Sequence, residues 1–180
     1  EAIKSELASS MPGLPQAEPS LKITYVQPKD FTGLLRYVRN ILVVTIDPTA
    51  YTKVSVGYEN NVWARGQVVV SLKAPNTESI VEYSKTHEKA LVNFFVKVEM
   101  NRAIEQLQKE YSMVVMDNLK SDLNVMLNAP ANFTYYKDTT DFFWSSNNAN
   151  TGRMDLIVYT FPYTDPNTFT EEYLVAKRDS

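Results

Sequence analysis

A long stretch with helical spacing separates two groups of short strand-like segments, and this order constrains the fold more than any other feature. Between about residues 87 and 120, apolar side chains recur every three or four positions, as in an amphipathic helix. They are Leu91, Phe94, Phe95, Val98, Leu107, Tyr111, Val114 and Val115. We therefore predict an α+β fold: a mainly antiparallel sheet with helices packed on it and one long helix in the middle.

The residues before this helix predict four strands and, ahead of a helix that begins near Asn76, two further helical segments. The strands cover 21–26, 41–46, 51–58 and 65–73, and the helical segments cover 1–10 and 30–37. The first strand alternates apolar and polar residues, which indicates one buried face. The run 41–46 is apolar nearly throughout and predicts a central strand that is buried on both faces. The last two strands flank the turn-like residues 59–61 and predict an antiparallel pair.

Polar residues indicate where the middle helices begin. Asn76 or Thr77 can cap a first helix, with Glu78 at its positive dipole end. Thr86 is a candidate cap for the long helix. The polar Arg102 interrupts the apolar stripe of that helix, and we predict a kink there.

The residues after the long helix predict four more strands and a final helix. These strands cover 123–127, 133–136, 142–145 and 154–161, and the helix covers 168–177. The order of signals resembles that of the first part: Ile23-Thr24-Tyr25 and Asp47-Pro48 correspond to Phe133-Thr134-Tyr135 and Asp165-Pro166. We predict a single α+β domain over 1–180, with the hypothesis of two similar halves, 1–86 and 87–180.

The composition leaves few kinds of catalytic or cofactor site. The chain has no Cys and one His, His87, so it cannot supply the usual sulfur and nitrogen ligands of zinc. Its five glycines are dispersed, whereas phosphate-binding loops need several close together. We therefore predict no cofactor and no metal site. A formal net charge of −3 without a basic cluster argues against nucleic acid as a partner.

Carboxylates near predicted strand ends are the remaining candidates for catalysis. Asp138, Asp141, Asp155 and Asp165 lie there. Two facing carboxylates can work as the acid and base of glycoside hydrolysis. Turn capping explains each of these aspartates more simply, and we assign no catalytic residue.

Aromatic residues in the last third of the chain supply three candidate ligand-binding residues, Tyr136, Phe143 and Trp144. Neighbouring residues of a strand point to opposite faces, so Phe142 and Trp144 share one face while Phe143 takes the other. One of these faces must be core. The other is predicted either to form an aromatic platform for a glycan or a protein, or to lie under a helix.

Several stretches together resemble one family. They are LPQAEPSLKITYVQP, FTGLLRYVRNILVV with IDP, NNVWARGQVVV, FFWSSNN and YTFPYTDPNTFTEEYLVAKRDS. The chain is similar over nearly its whole length to uncharacterised lipoproteins of Bacteroidetes, catalogued as a domain of unknown function. The resemblance implies export to the cell envelope and a lipid anchor on a cysteine upstream of Glu1. It also implies that the chain is a fragment of a longer protein. The family carries no assigned catalytic residues.

The sequence does not establish a function, and it favours a non-enzymatic one. We expect an envelope protein with a binding or structural role whose partner is a protein or a glycan. Its membrane attachment is expected only through the inferred lipid anchor. The alternatives are a carboxylate-dependent enzyme acting on envelope polysaccharide and a carrier with an apolar pocket between helix and sheet.

Overall fold

The computed structural model describes residues 1–12, 14 and 16–179. Within these residues, five α-helices and two three-stranded sheets confirm the predicted α+β class. Contacts divide the chain into two compact units, Glu1–Asn101 and Arg102–Ser180. Each unit has its own sheet and its own hydrophobic core, and each is described separately below.

The first unit contains three strands, two complete helices and the first part of a third helix. In chain order these are α1 (Ala2–Leu7), β1 (Asn40–Ile46), β2 (Ser55–Asn60), β3 (Val68–Ala74), α2 (Thr77–Thr86) and α3 (Ala90–Lys109), which continues into the second unit. Two 3₁₀ helices, Pro28–Asp30 and Gly33–Tyr37, replace the short α-helix predicted over 30–37. Gly33 has a φ of +54°, which an α-helix does not accommodate.

The sheet of the first unit has the strand order β1-β3-β2. The β2 and β3 strands are antiparallel, which confirms the predicted pair, whereas β1 runs parallel to β3. The prediction that 41–46 is the central strand is wrong. The β3 strand occupies the centre and is the most buried of the three, while Val44 and Ile46 of β1 are 45% and 48% exposed. An apolar run shows that a strand has a buried part, but it does not show on how many sides the strand is paired.

The core of the first unit lies between β3 and the helices. Its buried members are Leu7, Val68, Val70, Leu72, Ala74, Ile80, Leu91, Val92 and Phe95. Each of the Val, Leu, Ile and Phe side chains among them contributes about 1.5–3 kcal/mol through removal from water, before entropy is counted. Residues 21–26 form no strand. The alternation of apolar and polar residues there comes from an extended segment without strand pairing. Leu21 and Ile23 pack against this core, while Tyr25 is 79% exposed.

Side-chain caps fix the ends of the helices in the first unit. The Oδ1 atom of Asn76 accepts a hydrogen bond from the Ser79 N–H at 2.8 Å, which confirms the predicted cap of α2. The carboxylate of Glu6 in α1 accepts the Leu91 N–H at 2.8 Å, so α1 caps the start of α3. Thr86 is not the cap of the long helix. It ends α2, and Lys89 with a φ of +60° separates α2 from α3.

The predicted helix over 87–120 is two helices. The α3 helix ends at Lys109, and α4 (Met113–Leu123) begins after a break at 110–112. Buried Ser112 causes the break, because its Oγ accepts the Val115 N–H at 3.3 Å and so caps α4. The helix is continuous through Arg102, so the chain breaks later than the predicted kink.

The second unit contains α4, a three-stranded antiparallel sheet and a C-terminal helix. The strands are β4 (Tyr135–Thr139), β5 (Phe142–Ser146) and β6 (Asp155–Tyr159), in the order β4-β5-β6, and the helix is α5 (Glu171–Arg178). A 3₁₀ helix, Pro166–Phe169, precedes α5. Residues 123–127 form no strand: Leu123 ends α4, and Asn124 follows it with a left-handed φ of +55°.

The hydrophobic core of the second unit joins α4 to one face of its sheet. Val115, Leu119, Ala129, Phe133 and Phe143 are buried there, with Leu123, Leu156 and Val158 packed around them. Ser112 also ties this core together, because its hydroxyl donates to the Phe133 carbonyl at 2.5 Å.

The two sheets differ in strand order and direction. The first is a mixed sheet with a parallel pair, and the second is an antiparallel meander. This difference argues against the hypothesis that 87–180 duplicates 1–86, since a duplication would have preserved both order and direction.

Candidate functional site

One face of the sheet in the second unit carries aromatic side chains over all three strands. The strand register places Lys137, Trp144 and Ile157 in one row across the sheet. The next row contains Phe142 and Tyr159, and Tyr135 lies in the row on the other side. We call Tyr135, Lys137, Phe142, Trp144, Ile157 and Tyr159 the Trp144 face.

Strand alternation separates this face from the core. Phe143 points to the opposite side, where it packs with Val115 and Leu119 of α4 and is 1% exposed. On the Trp144 face, Tyr135 and Ile157 are each 55% exposed. Phe142 and Trp144 are half-buried in the middle strand. The sheet therefore has one covered face and one face with accessible aromatic surface.

A hydrogen-bonded cluster holds the indole ring of Trp144. Its Nε1–H donates to Asp155 Oδ1 at 3.0 Å. The Arg153 guanidinium binds the same carboxylate, with Nη2 at 3.0 Å from Oδ1, and lies 6.0 Å from the centre of the indole ring. Arg153 is the main cause that lowers the pKa of Asp155, so this carboxylate stays charged at neutral pH. The ring is thus fixed at its polar edge.

The aromatic surface continues past the sheet. The rings of Tyr159 and Phe161 lie 6.0 Å apart, and Phe161 lies 6.0 Å from Tyr173 of α5. The Lys177 ammonium group lies 5.5 Å from the centre of the Phe161 ring. Aromatic rings beside cationic and hydroxyl groups can stack on a flat apolar surface and form hydrogen bonds at its rim.

The structure separates the three residues that the sequence selected. Trp144 lies on the accessible face, but Phe143 lies in the core and cannot contact a ligand without unfolding the sheet. Tyr136 shares the side of Phe143, where their rings stack at 6.2 Å, but it is 52% exposed and its role in ligand binding stays a prediction. Sequence reasoning missed Tyr135 and Ile157, since only the strand register shows that they flank Trp144.

Three of the four candidate carboxylates form interactions within the fold, namely Asp155 with Trp144 and Arg153, and Asp165 and Asp138 as follows. Asp165 caps the 3₁₀ helix 166–169 by accepting the Asn167 N–H at 2.7 Å. Asp138 forms a hydrogen bond with Asp122 of α4, which raises the pKa of Asp138 and, together with Ser121, lowers that of Asp122. Glycosidases hold their two carboxyl groups about 5–9.5 Å apart so that substrate or water fits between them. Asp122 and Asp138 share a hydrogen bond, so this pair is not held apart in that way.

The other ionisable groups give no sign of a metal site. His87 follows the last residue of α2, and its ring stacks on Tyr83 at 4.2 Å. Among residues 1–12, 14 and 16–179, no three His, Cys, Asp or Glu side chains are grouped so that they could hold a metal ion. In the same part of the chain, every helix is too short or too polar to cross a membrane.

Comparison with known proteins identifies two families of unknown function. No curated protein matches the chain, and no solved structure matches it. Residues 112–180 match a domain of unknown function, DUF4837. Residues 1–108 match a second, DUF8532. Since this second match covers 108 of the 180 residues, the chain belongs to the DUF8532 family of domains of unknown function.

Proposed function

We propose that this chain is a non-enzymatic binding protein of the cell envelope and that its Trp144 face binds a glycan. The observation that carries this proposal is the accessible aromatic face itself, with Trp144 fixed at its centre by Asp155. The sheet supplies rigidity, because the β5 strand that bears Trp144 is hydrogen-bonded on both sides.

The chemistry of this face suits a saccharide. A sugar ring presents C–H groups on its flat sides and hydroxyl groups around its rim. Trp144 and Ile157 offer apolar surface to the flat side. The hydroxyls of Tyr135 and Tyr159 and the amine of Lys137 lie around them as hydrogen-bonding groups. A protein-binding patch would be expected to be more continuously apolar, so a protein partner is the competing result of the test.

The test is binding of soluble envelope oligosaccharides, measured by calorimetry and by thermal shift. Ligand at about 100 times its dissociation constant stabilises the native state by about 2.7 kcal/mol. We expect Trp144→Ala to abolish the shift. Tyr25→Ala should leave it unchanged, since Tyr25 is an exposed aromatic residue of the first unit. Equal binding by Trp144→Ala and the unchanged protein would contradict the assignment to this face. Turnover of any envelope polymer by the pure protein would contradict the non-enzymatic role.

The proposed location rests on the resemblance to Bacteroidetes lipoproteins. We propose that the native protein is exported and lipid-anchored through a cysteine upstream of Glu1. Mass spectrometry of the N-terminal peptide from fractionated cells tests this directly. A lipid-modified cysteine in the membrane fraction is the expected result. An unmodified protein that is not exported would contradict it and would remove the reason for testing envelope glycans first.

The two alternatives receive less support. An enzyme with two carboxylates would need a spaced pair, and the hydrogen-bonded pair Asp122 and Asp138 is not of that type. A carrier would need an apolar pocket between helix and sheet. The structure shows an open groove of about 450 Å³ along α5. This groove is bordered by Phe169 and Leu174, and none of its lining residues belongs to a strand.

A further inference from the structure

The outer edge of β1, on the side away from β3, pairs with no strand in the part of the chain that the structure describes. The Arg39 carbonyl accepts the Val68 N–H at 2.8 Å, and the Asp47 N–H donates to the Ala74 carbonyl at 3.0 Å. Odd-numbered residues of β1 therefore direct their backbone groups towards β3. The N–H and C=O groups of Leu42, Val44 and Ile46 point the other way. No described residue among 1–12, 14 and 16–179 forms a hydrogen bond with them.

This edge lacks the features that normally keep a strand from pairing. Soluble proteins protect exposed edges with charged residues, prolines, bulges or very short strands. The β1 strand has seven residues, Asn-Ile-Leu-Val-Val-Thr-Ile, with no charge and no proline, and its register with β3 is uninterrupted. The other edge strand, β2, carries Glu59 and Gly57. The exposed edge of β1 is thus also the apolar one.

We propose that β1 pairs antiparallel with β1 of a second copy of this chain, about a two-fold axis at Val43. Leu42 then lies opposite Val44 of the second copy, and these two residues exchange both backbone hydrogen bonds. Val43 lies opposite Val43 of the second copy. The first-unit sheets of the two copies become one six-stranded sheet. The exposed Val44 gains Leu42 of the second copy as its opposite neighbour, and the exposed Ile46 lies opposite Asn40 and diagonal to Leu42.

Charge selects this register. Because the outward groups belong to even-numbered residues, the pairing can shift only by two residues at a time. The register centred on Val43 places Arg39 opposite Asp47 of the second copy. The two neighbouring antiparallel registers would place Asp47 opposite Tyr37 or Arg39 opposite Thr49 instead, so neither of them brings these opposite charges together. Arg39 also forms an ion pair with Glu99 at 3.0 Å, so the new carboxylate would join an existing charged pair.

Mass measurement over a concentration series tests whether this edge dimerises. Val44→Lys introduces a charge at the proposed interface. Val56→Lys is its matched control, because Val44 and Val56 flank Leu72 in the same row of the sheet, one on each edge. We expect the unchanged chain and Val56→Lys to reach twice the monomer mass and Val44→Lys to remain monomeric. A monomeric unchanged chain at all concentrations, or a dimer that survives Val44→Lys, would overturn the proposal.

Disulfide trapping tests the register. Because the sequence contains no cysteine, any disulfide that forms must involve the introduced residue. Across the two-fold axis, the Cα atoms of residue 43 would lie about 4.5 Å apart, as in a non-hydrogen-bonded antiparallel pair. A disulfide forms at this separation. The Cα atoms of residue 45 would lie about 14 Å apart. We expect Val43→Cys to form a covalent dimer on mild oxidation and Thr45→Cys not to. Equal cross-linking of the two variants would refute this register.

Discussion

Replacing the buried Gln67 by Met should weaken the first unit more than any other single polar substitution we consider. Gln67 is 1% exposed and lies directly before β3. Its Nε2 donates to the carbonyls of Arg36 and Val38 at 2.7 and 2.6 Å, and its Oε1 accepts the Trp63 N–H at 3.0 Å. One side chain thus satisfies three backbone groups from two separate loops.

The size of the effect follows from those three groups. Met fills a similar volume but forms none of the hydrogen bonds, so two carbonyls and one N–H lose their partner. An unsatisfied buried polar group costs about 1–3 kcal/mol. The hydrogen bonds of Gln67 are only partly buried, so water can reach some of these groups and the lower value applies. Three groups at about 1 kcal/mol each give a loss of about 3 kcal/mol in the free energy of unfolding.

Urea denaturation followed by tryptophan fluorescence measures this loss. The chain has two Trp residues, so a Trp144→Phe background leaves Trp63 to report on the first unit alone. Gln27→Met is the control, because Gln27 is an exposed residue of the same unit whose side chain forms no capping hydrogen bond, and it should change stability by less than about 0.5 kcal/mol. A loss below about 1 kcal/mol for Gln67→Met would refute the reasoning, since it would mean that water replaces all three partners.

Three further substitutions test the other assignments. Phe143→Ala should cost about 3–5 kcal/mol of unfolding free energy in chemical denaturation, whereas Trp144→Ala should cost about 1 kcal/mol, because only Phe143 lies in the core. Equal losses for the two variants would contradict the assignment of Phe143 to the buried face and Trp144 to the accessible face. Glu6→Ala should cost about 1 kcal/mol by the same assay, since Leu91 loses its cap, and exposed Glu18→Ala should cost nothing measurable. Asp138→Asn should be more stable than the unchanged chain at neutral pH and lose that advantage in acid. The raised pKa of Asp138 means that its stabilising contribution is present below the unfolded-state pKa and disappears as pH rises through the folded-state pKa; a pH-independent difference in unfolding free energy would contradict this.

Sequence reasoning succeeded where a local pattern decides the structure. The cap at Asn76 and the β2–β3 pair depend on residues close in sequence, and both are confirmed. The break before α4 depends on Ser112, whose hydroxyl also binds the Phe133 carbonyl 21 residues away. The periodicity of the apolar residues continues across the break, so it gave no sign that the helix ends.

In the candidate site too, nearby residues decide some features and distant residues decide others. Alternation predicted that Phe143 and Trp144 lie on opposite faces, and the structure confirms it. Which face becomes core depends on α4, because Val115 and Leu119 cover the Phe143 side. Nothing in the residues of β5 alone contains that information.

The wrong prediction for β1 has a physical meaning of its own. A run such as Ile41–Ile46 is typical of a strand paired on both sides, because apolar side chains and unprotected backbone edges are unfavourable in water. The structure places this run at an edge, with Val44 and Ile46 about half exposed. The other edge strand, β2, carries the charged Glu59, whereas β1 carries no charge. A second copy at β1 would give the run the central position that its composition predicts. The dimerisation experiment therefore also decides whether this apolar run is an exposed edge strand in solution or an inner strand of a sheet formed by two chains.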